Sequence, residues 1–244
     1  MSILNAVHSE IIKSKHILFY ISHIVIALLG TLLFISYFVM YSNNSDLSRI
    51  KLMFEILLVV FPFLISVMVG LNISQEEKAS HFQILLSSSK RYKMVLSKLI
   101  VLCSCGNIAL IALCVFWTAG IIMFNAINKY PLIMIALILV GTFLTSIVVY
   151  TFHMFLNLKL GIGVSLFFGI FESIQAIMYS NIEIKGIYKY IIPFAWQIDW
   201  LKDVMNGTIS QHVTQWLIIG ALSLVLIGMF FIWFQYWEGR KYYE

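Results

Sequence analysis

The sequence contains six apolar stretches that are each long enough to cross a membrane as a helix. A transmembrane helix needs about 20 consecutive, mostly apolar residues, and such runs occupy residues 17–40, 52–73, 99–124, 131–156, 161–180 and 216–236. The runs are continuous, whereas the strands of a membrane β-barrel alternate in hydrophobicity over about 10 residues. The sequence therefore predicts an all-α polytopic membrane protein in which six transmembrane helices form one domain over residues 1–244.

The composition excludes a soluble enzyme, a secreted disulfide scaffold and a disordered protein. Hydrophobic residues make up 61% of the chain and charged residues 11%, whereas a soluble domain has about 45–50% apolar and about 25% charged residues. All three cysteines lie in the third apolar run, where neither a disulfide framework nor a zinc site is expected. The charged residues that give the net charge of +5 lie in short connections and form no extended basic face. We therefore expect no nucleic-acid partner.

The distribution of Lys and Arg predicts the orientation in the membrane. Six spans place both termini on one side, and short cytoplasmic loops carry an excess of Lys and Arg. If the termini are cytoplasmic, ten of these residues lie inside, namely Lys13, Lys15, Lys78, Lys90, Arg91, Lys93, Lys98, Lys159, Arg240 and Lys241. Six then lie outside, namely Arg49, Lys51, Lys129, Lys185, Lys189 and Lys202. We therefore predict that both termini face the cytoplasm.

The N-terminal segment, residues 1–16, has the spacing of an amphipathic helix. Apolar residues recur at helical intervals, with charged residues between them. The apolar residues are Ile3, Leu4, Val7, Ile11 and Ile12. We expect this interfacial helix to lie on the inner membrane surface before the first span.

The outer segment, residues 181–215, is too aromatic for a solvated linker and too short to cross the membrane twice. Its central run at 192–200 includes Pro193, Trp196, Asp199 and Trp200. Irregular backbone at membrane depth has to be surrounded by protein. We therefore predict a re-entrant or interfacial hairpin that involves these four residues.

The longest inner loop, residues 75–98, has the pattern of a short docking helix. Ser74 is a candidate N-cap, and Glu76 and Glu77 follow in the first turn, where the helix dipole favours carboxylates. An apolar stripe follows on an otherwise polar helix, formed by Ala79, Phe82, Leu85 and Leu86. We expect this stripe to be exposed and to fit a groove on a partner; the alternative is a helix folded against the inner membrane surface.

Motifs for ATP hydrolysis and for proteolysis are missing from the sequence. It contains neither the Gly-x-x-x-x-Gly-Lys-Ser/Thr phosphate loop nor a His-Glu-x-x-His pair. Glu76-Glu77 followed by His81 differs from the Glu-Glu-x-x-x-Arg motif of intramembrane CAAX-type proteases, because His stands where that motif has Arg. We expect neither catalytic residues nor a metal or other cofactor in this chain, so any ATP would be bound by a partner.

Three segments of the sequence resemble one family of transport proteins. The run EEKASHFQILLSSSKRYKMVLSKL at 76–99 resembles the first cytoplasmic loop of the permease subunits of lantibiotic-immunity ABC transporters, the MutG/EpiG/NisG type. The segment 9–16 is similar to the entry to that family's first span, and Ile-Pro-Phe-Ala-Trp at 192–196 is similar to its outer segment before the last span. The length and the span count also resemble those of the family.

The resemblance implies an ABC-2-type permease with a cytoplasmic coupling helix. Two permeases, identical or homologous, would pair with two copies of a separate ATPase that binds ATP and Mg²⁺, and would expel lantibiotics from a bacterial plasma membrane. Glu76, Glu77, His81 and Phe82 match the part of the family that meets the ATPase, and Leu85 and Leu86 continue the same stripe.

Glu172 is the acidic residue placed deepest in a span. It lies about 16 Å from Gly161 at 1.5 Å per residue, and a charge at such depth costs about 2.5–3.5 kcal/mol. Beside it runs a ridge of small residues suited to close helix packing, formed by Gly161, Ser165, Gly169 and Ser173. Two roles stay open at this stage: Glu172 attracts a cationic peptide or gates the permease pair, or it bonds a neighbouring helix and aids folding.

Two other functions remain as alternatives. One is an ATP-independent immunity protein that sequesters the peptide in the membrane. The other is an ABC-2 permease for a different amphipathic cargo, such as a drug or a lipid-linked glycan. Residues 1–244 show no feature that identifies the cargo.

Overall fold

The protein is all-helical throughout the part of the chain that the structure describes. The structure is a computed structural model that describes residues 2–15, 19–40, 46–88, 90–123, 131–182 and 186–240. Over these ranges the helices are α1 (Ile3–Ser14), α2 (Phe19–Met40), α3 (Asp46–Ser80), α4 (Gln83–Ser87), α5 (Arg91–Met123), α6 (Leu132–Leu160), α7 (Ile162–Asn181), α8 (Tyr188–Ile191), α9 (Ala195–Asn206) and α10 (Val213–Tyr236), with a 3-10 turn at Ile209–Gln211.

Six of these helices are long and apolar enough to cross a membrane: α2, α3, α5, α6, α7 and α10. Their outward faces carry many exposed Leu, Ile, Val and Phe side chains, as expected for helices that contact lipid. For the described residues, the prediction of an all-α protein with six helices long and apolar enough to span a membrane is therefore confirmed.

Helices α3 and α5 are longer than a membrane requires. They contain 35 and 33 residues, or about 50 Å each at 1.5 Å per residue, against about 30 Å of hydrocarbon. The short helix α4 connects the C-terminal end of α3 to the N-terminal end of α5. This connection lies at the end of the bundle that we call the α4 end.

Both described ends of the chain lie at the α4 end. Lys13, at the end of α1, forms an ion pair with Glu76 at 2.8 Å. Arg240, beyond α10, forms one with Glu77 at 2.6 Å. An even number of spanning helices places the two termini on the same side, and these two contacts agree with that arrangement.

Helices α3 and α7 have the most extensive contact of any helix pair among the described residues, and Gly169 of the small-residue ridge lies in it. A Cβ added at Gly169 would meet the Cα of Phe63 at 3.2 Å and overlap the side chain of Ser66. Ser165 is also fully buried, whereas Ser173 is half-buried. Gly169 therefore sets the distance between these two backbones, because a larger side chain has no room there.

The outer segment forms two helices that pack on the bundle. Helix α9 lies against α6, α3 and α7 and ends at Gly207, whose positive φ of 70° suits glycine. The indole nitrogen of Trp200 donates a hydrogen bond to the carbonyl oxygen of Leu137 at 2.8 Å. Gly141 leaves the space that this indole ring fills, since an added Cβ would overlap the ring.

Candidate functional site

An apolar cleft lies between α7 and α10, both of which pack against α6. We call it the aromatic cleft; its volume is about 620 Å³. Seven aromatic rings line it, from Phe152, Phe155, Phe168, Phe171, Phe194, Phe230 and Trp233. Pro193, from the outer segment, lines it as well, and among the described residues Glu172 is the one with an acidic or basic side chain in its lining. The cleft therefore combines a large aromatic surface with a single carboxyl group.

Glu172 is held on the buried face of α7. The buried residues of this helix are Ser165, Gly169, Glu172 and Ala176, which recur at intervals of three and four and so form one face. Glu172 lies about 15 Å along the helix axis from Ile162, near the middle of the span. The side chain is 5% exposed, and that exposed part faces the aromatic cleft.

A chain of hydrogen bonds connects Glu172 to α6. The Nε2 atom of His153 lies 3.1 Å from Oε2 of Glu172, and its Nδ1 atom lies 2.9 Å from the hydroxyl oxygen of Ser165. With Nε2 as the donor to Glu172, Nδ1 accepts from the Ser165 hydroxyl, an assignment that uses each ring nitrogen once. The carboxyl group of Glu172 is thereby held by α6 while it lines the cleft.

Ser165, His153 and Glu172 are the residue types of a hydrolase triad, but their placement does not suit nucleophilic catalysis. A nucleophile has to reach the substrate's reacting carbon, whereas Ser165 and His153 are fully buried. Only Glu172, at the far end of the chain of hydrogen bonds, lines the cleft. The three residues therefore fix α6 to α7 and orient one carboxyl group toward the cleft.

A second polar cluster lies at the α4 end and joins three helices. The ammonium group of Lys98 on α5 contacts Oε1 of both Glu10 on α1 and Glu76 on α3, the latter at 2.9 Å. Lys13 pairs with Glu76 as well, and the amide of Asn72 donates to Glu10 at 3.4 Å. We call these five residues the ion cluster. It contains two carboxylates and two ammonium groups, so its charges balance.

Arg240 connects the α4 end to the junction of α6 and α7. It pairs with Glu77 on α3 and donates to the carbonyl oxygen of Asn157 near the end of α6. Its guanidinium lies 5.6 Å from the ring centroid of Phe82. A Cβ added at Gly161, which joins α6 to α7, would meet its Nη1 atom at 3.3 Å. One side chain therefore contacts α3, the α4 connection and the α6–α7 junction.

The prediction of a separate helix starting at Ser74 is wrong, because α3 continues through this residue to Ser80. The Ser74 hydroxyl donates to the carbonyl of Leu71 within the same helix and caps nothing. The chain reverses at His81 and Phe82, which have positive φ angles of 45° and 66°. Most of the predicted loop 75–98 therefore belongs to α3 and α5.

The prediction of an exposed apolar stripe is also wrong. Phe82 and Leu85 are fully buried, because the turn packs Phe82 edge-on against Trp237 at a centroid distance of 5.3 Å. Leu86 is half-buried, and Glu76 is buried in the ion cluster. Exposed residues also occur along the connection, and five of them are Lys78, Ala79, His81, Gln83 and Ile84. We call these five residues the exposed α4 face.

The outer residues singled out from the sequence have different surroundings. Trp196 is fully buried and donates to the carbonyl of Lys189 at 2.9 Å. Trp200 packs edge-on against Trp216 at 4.9 Å. Asp199 is half-buried on α9. Trp196 and Trp200 therefore secure the outer segment to α6 and α10.

Sequence reasoning missed a carboxylate with three hydrogen bonds at the end of the bundle opposite the α4 end. Asp203 accepts from the ring nitrogen of His212 at 2.7 Å, from Trp216 at 2.8 Å and from Thr208 at 3.0 Å. It closes the turn between α9 and α10. In the sequence, Thr208 and His212 follow Asp203 by five and nine positions. This spacing is a weak signal, because the three side chains meet only in the folded chain.

Comparisons with known proteins do not identify a family. No protein-family model matches the chain, and neither a curated protein nor a solved structure is similar to it. Within the described ranges, no group of three or more His, Cys, Asp or Glu side chains is placed to hold a metal ion. The fold and site thus define a six-span helical membrane protein with a carboxyl-bearing aromatic cleft.

Proposed function

We propose that this chain is the permease subunit of an ATP-driven ABC exporter, of ABC-2 type, that expels lantibiotics or similar antimicrobial peptides from a bacterial plasma membrane and so gives immunity or resistance. Two copies of a separate ATPase bind ATP and Mg²⁺ and meet this chain in the cytoplasm. A second permease, identical or homologous, completes the complex. The chain itself carries no catalytic residues.

One observation carries this proposal: a short helix lies between two spanning helices that are longer than the membrane. Since α3 and α5 exceed the hydrocarbon thickness by about 20 Å, the connection between them is available to a partner outside the bilayer. The exposed α4 face offers apolar Ala79 and Ile84 beside polar Lys78, His81 and Gln83. Such a mixture suits a partner groove that is not permanently buried.

Arg240 provides a physical path from this connection to the cleft. It contacts Glu77 and Phe82 on one side and the α6–α7 junction on the other. Helix α7 carries Glu172 into the aromatic cleft. In this proposal, closure of the ATPase shifts the α4 connection, and the shift moves α7 against α6, which changes access to the cleft. Such switching needs two packings that differ by a few kcal/mol.

The aromatic cleft also supports one rival function, an immunity protein that only sequesters the peptide. Binding in the cleft needs no ATP in that case, and the exposed α4 face has no partner. The two functions therefore differ in whether an ATPase is held at that face.

Ile84→Asp tests the docking of an ATPase. Ile84 is 47% exposed, so a carboxylate is tolerated in the free chain, but burial of that charge in a partner groove costs several kcal/mol. We expect the variant to reach the membrane at normal levels, while recovery of the ATPase with the purified chain and resistance to a cationic lantibiotic both fall at least tenfold. Co-purification from the native membrane and growth assays measure these effects.

Leu85→Asp is the matched control, because Leu85 is adjacent but fully buried. This variant should reduce the amount of folded chain instead of releasing a partner from a well-folded one. If Ile84→Asp leaves both the recovered ATPase and the resistance unchanged, the exposed α4 face is not a docking site and the exporter proposal loses its main support.

Single cysteines at the two ends of the bundle test the predicted orientation. We expect a membrane-impermeant maleimide added to whole cells to label Ser210→Cys and to miss Ser87→Cys, since both positions are exposed but lie at opposite ends. The native Cys103 and Cys114 are buried and Cys105 is half-buried, so Cys105 is first replaced by Ser and the remaining background should be low. Labelling of Ser87→Cys alone would reverse the orientation and place the exposed α4 face outside the cell.

A further inference from the structure

We infer that the aromatic cleft binds one apolar organic cation, with Glu172 as its counter-ion and the surrounding rings as its walls. That the natural cation belongs to a peptide rests on the proposed function. In that case the cation is a Lys, Arg or amino-terminal group flanked by apolar residues. The binding itself needs only this chain.

The first argument is the charge of the cleft. Among the described residues, Glu172 is the one residue of the lining with an acidic or basic side chain, and its Oε2 atom lies 3.1 Å from Nε2 of His153. Among the described residues, only Oε2 of this carboxylate accepts a hydrogen bond. The interaction of two opposite charges is several times stronger in a medium of low dielectric constant than in water. The cleft is therefore selective for a single positive charge.

The second argument is the lining itself. Seven aromatic rings surround the cavity, and the faces of such rings attract cations at centroid distances up to about 6 Å. Phe155 already contacts a cation in this way at the margin of the cleft, where the ammonium group of Lys159 lies 5.3 Å from its ring centroid. Rings and carboxylate together favour a cation with apolar substituents over a hydrated inorganic ion.

The third argument is the size of the ligand. Sites for drug-sized molecules have volumes of about 300–1,000 Å³, and the cleft, at about 620 Å³, falls in this range. It accommodates one cationic group with its apolar neighbours, whereas a complete lantibiotic is several times larger. A lipid tail also fits by size, but it has no charge and gains nothing from Glu172.

Binding of tetraphenylphosphonium to the purified chain tests the inference. Radiolabelled tetraphenylphosphonium should bind the full chain saturably in nanodiscs, and Glu172→Gln should weaken this binding at least tenfold. Tetraphenylborate, of the same shape and opposite charge, should bind at least tenfold more weakly than tetraphenylphosphonium to the unmodified chain. Glu55→Gln is the matched control: it removes a carboxylate from α3 that pairs with Lys51 and lies outside the cleft, so affinity should stay within twofold.

Met229→Trp provides a second variant that keeps the charge. Met229 lines the cleft and is 61% exposed, so a larger ring there fills the cavity without disturbing the core, and we expect at least a fivefold loss of affinity. Equal affinity for the two ions, or unchanged binding in both Glu172→Gln and Met229→Trp, would overturn the inference. An Ile84→Asp variant that keeps both the recovered ATPase and the resistance would count against the exporter but leave tetraphenylphosphonium binding intact, so the two proposals fail separately.

Discussion

Replacing Lys98 with Met is expected to destabilise the folded chain by about 3–5 kcal/mol, because removing one partner of a buried ion pair leaves its counter-charge uncompensated. Lys98 is fully buried and contacts both Glu10 and Glu76. Glu76 keeps Lys13, whereas Glu10 keeps only the Asn72 amide. With about 2–4 °C per kcal/mol for a chain of this size, the melting temperature in mild detergent should fall by roughly 6–20 °C.

Lys51→Met is the control for loss of a lysine charge. Lys51 pairs with Glu55 one helical turn away at 3.6 Å, and its side chain is 50% exposed. Exposed pairs of this kind contribute about 0.3–0.5 kcal/mol, so this variant should melt within about 2 °C of the unmodified chain. Equal melting temperatures for Lys98→Met and the unmodified chain would show that the ion cluster does not stabilise the fold.

The number of spanning helices was predictable because lipid imposes a requirement that can be counted along the chain. A spanning segment must satisfy its backbone hydrogen bonds within a helix and present about 20 apolar side chains. Each run meets this condition through its own residues. The predicted run 52–73 lies within α3, and the run 216–236 lies within α10. These helices are determined by the hydrophobicity of their own residues, so they can be predicted from their own stretches of sequence.

The boundaries at the α4 end depend on distant contacts and were not predictable. A Ser followed by two Glu residues has the chemistry of a helix start, yet Ser74 lies inside α3. Glu76 is buried there because Lys98 neutralises it from the next long helix. The helical periodicity correctly identified Phe82 as part of the apolar side of the connection. It could not show that this side faces the protein, because the residue that covers Phe82, Trp237, lies 155 positions further along the chain.

Only part of the candidate site could be predicted from the sequence. Glu172 was recognised because a carboxylate in mid-span is costly wherever the helix packs. Its partner His153 gave no comparable signal, because a neutral histidine within a span is compatible with ordinary packing. The cleft is formed by side chains from α6, α7 and α10 together, and no stretch of sequence contains that arrangement.

Replacing His153 with Leu is expected to destabilise the chain by about 1–3 kcal/mol, because the buried carboxyl group of Glu172 would lose its hydrogen bond to Nε2 of His153. Ser165 loses less, since its hydroxyl is able to bond a carbonyl of its own helix. The melting temperature in detergent and the amount of chain recovered in the membrane should both fall. His23→Leu is the control, because the ring of buried His23 bonds only within its own helix among the described residues, through Nδ1 to the carbonyl oxygen of Phe19 at 2.8 Å, and we expect a change of about 1 kcal/mol or less.

The double variant His153→Leu/Glu172→Leu decides whether the unpaired carboxylate causes this loss. Replacing both members of a buried polar pair by apolar residues leaves no unsatisfied partner and is often close to neutral. The double variant should therefore melt at a higher temperature than His153→Leu alone, by several degrees, although it carries one more substitution. If it melts at the same temperature or lower, packing around the imidazole ring and not its hydrogen bond to Glu172 holds α6 and α7 together. In that case the orientation of the carboxylate in the cleft does not depend on His153.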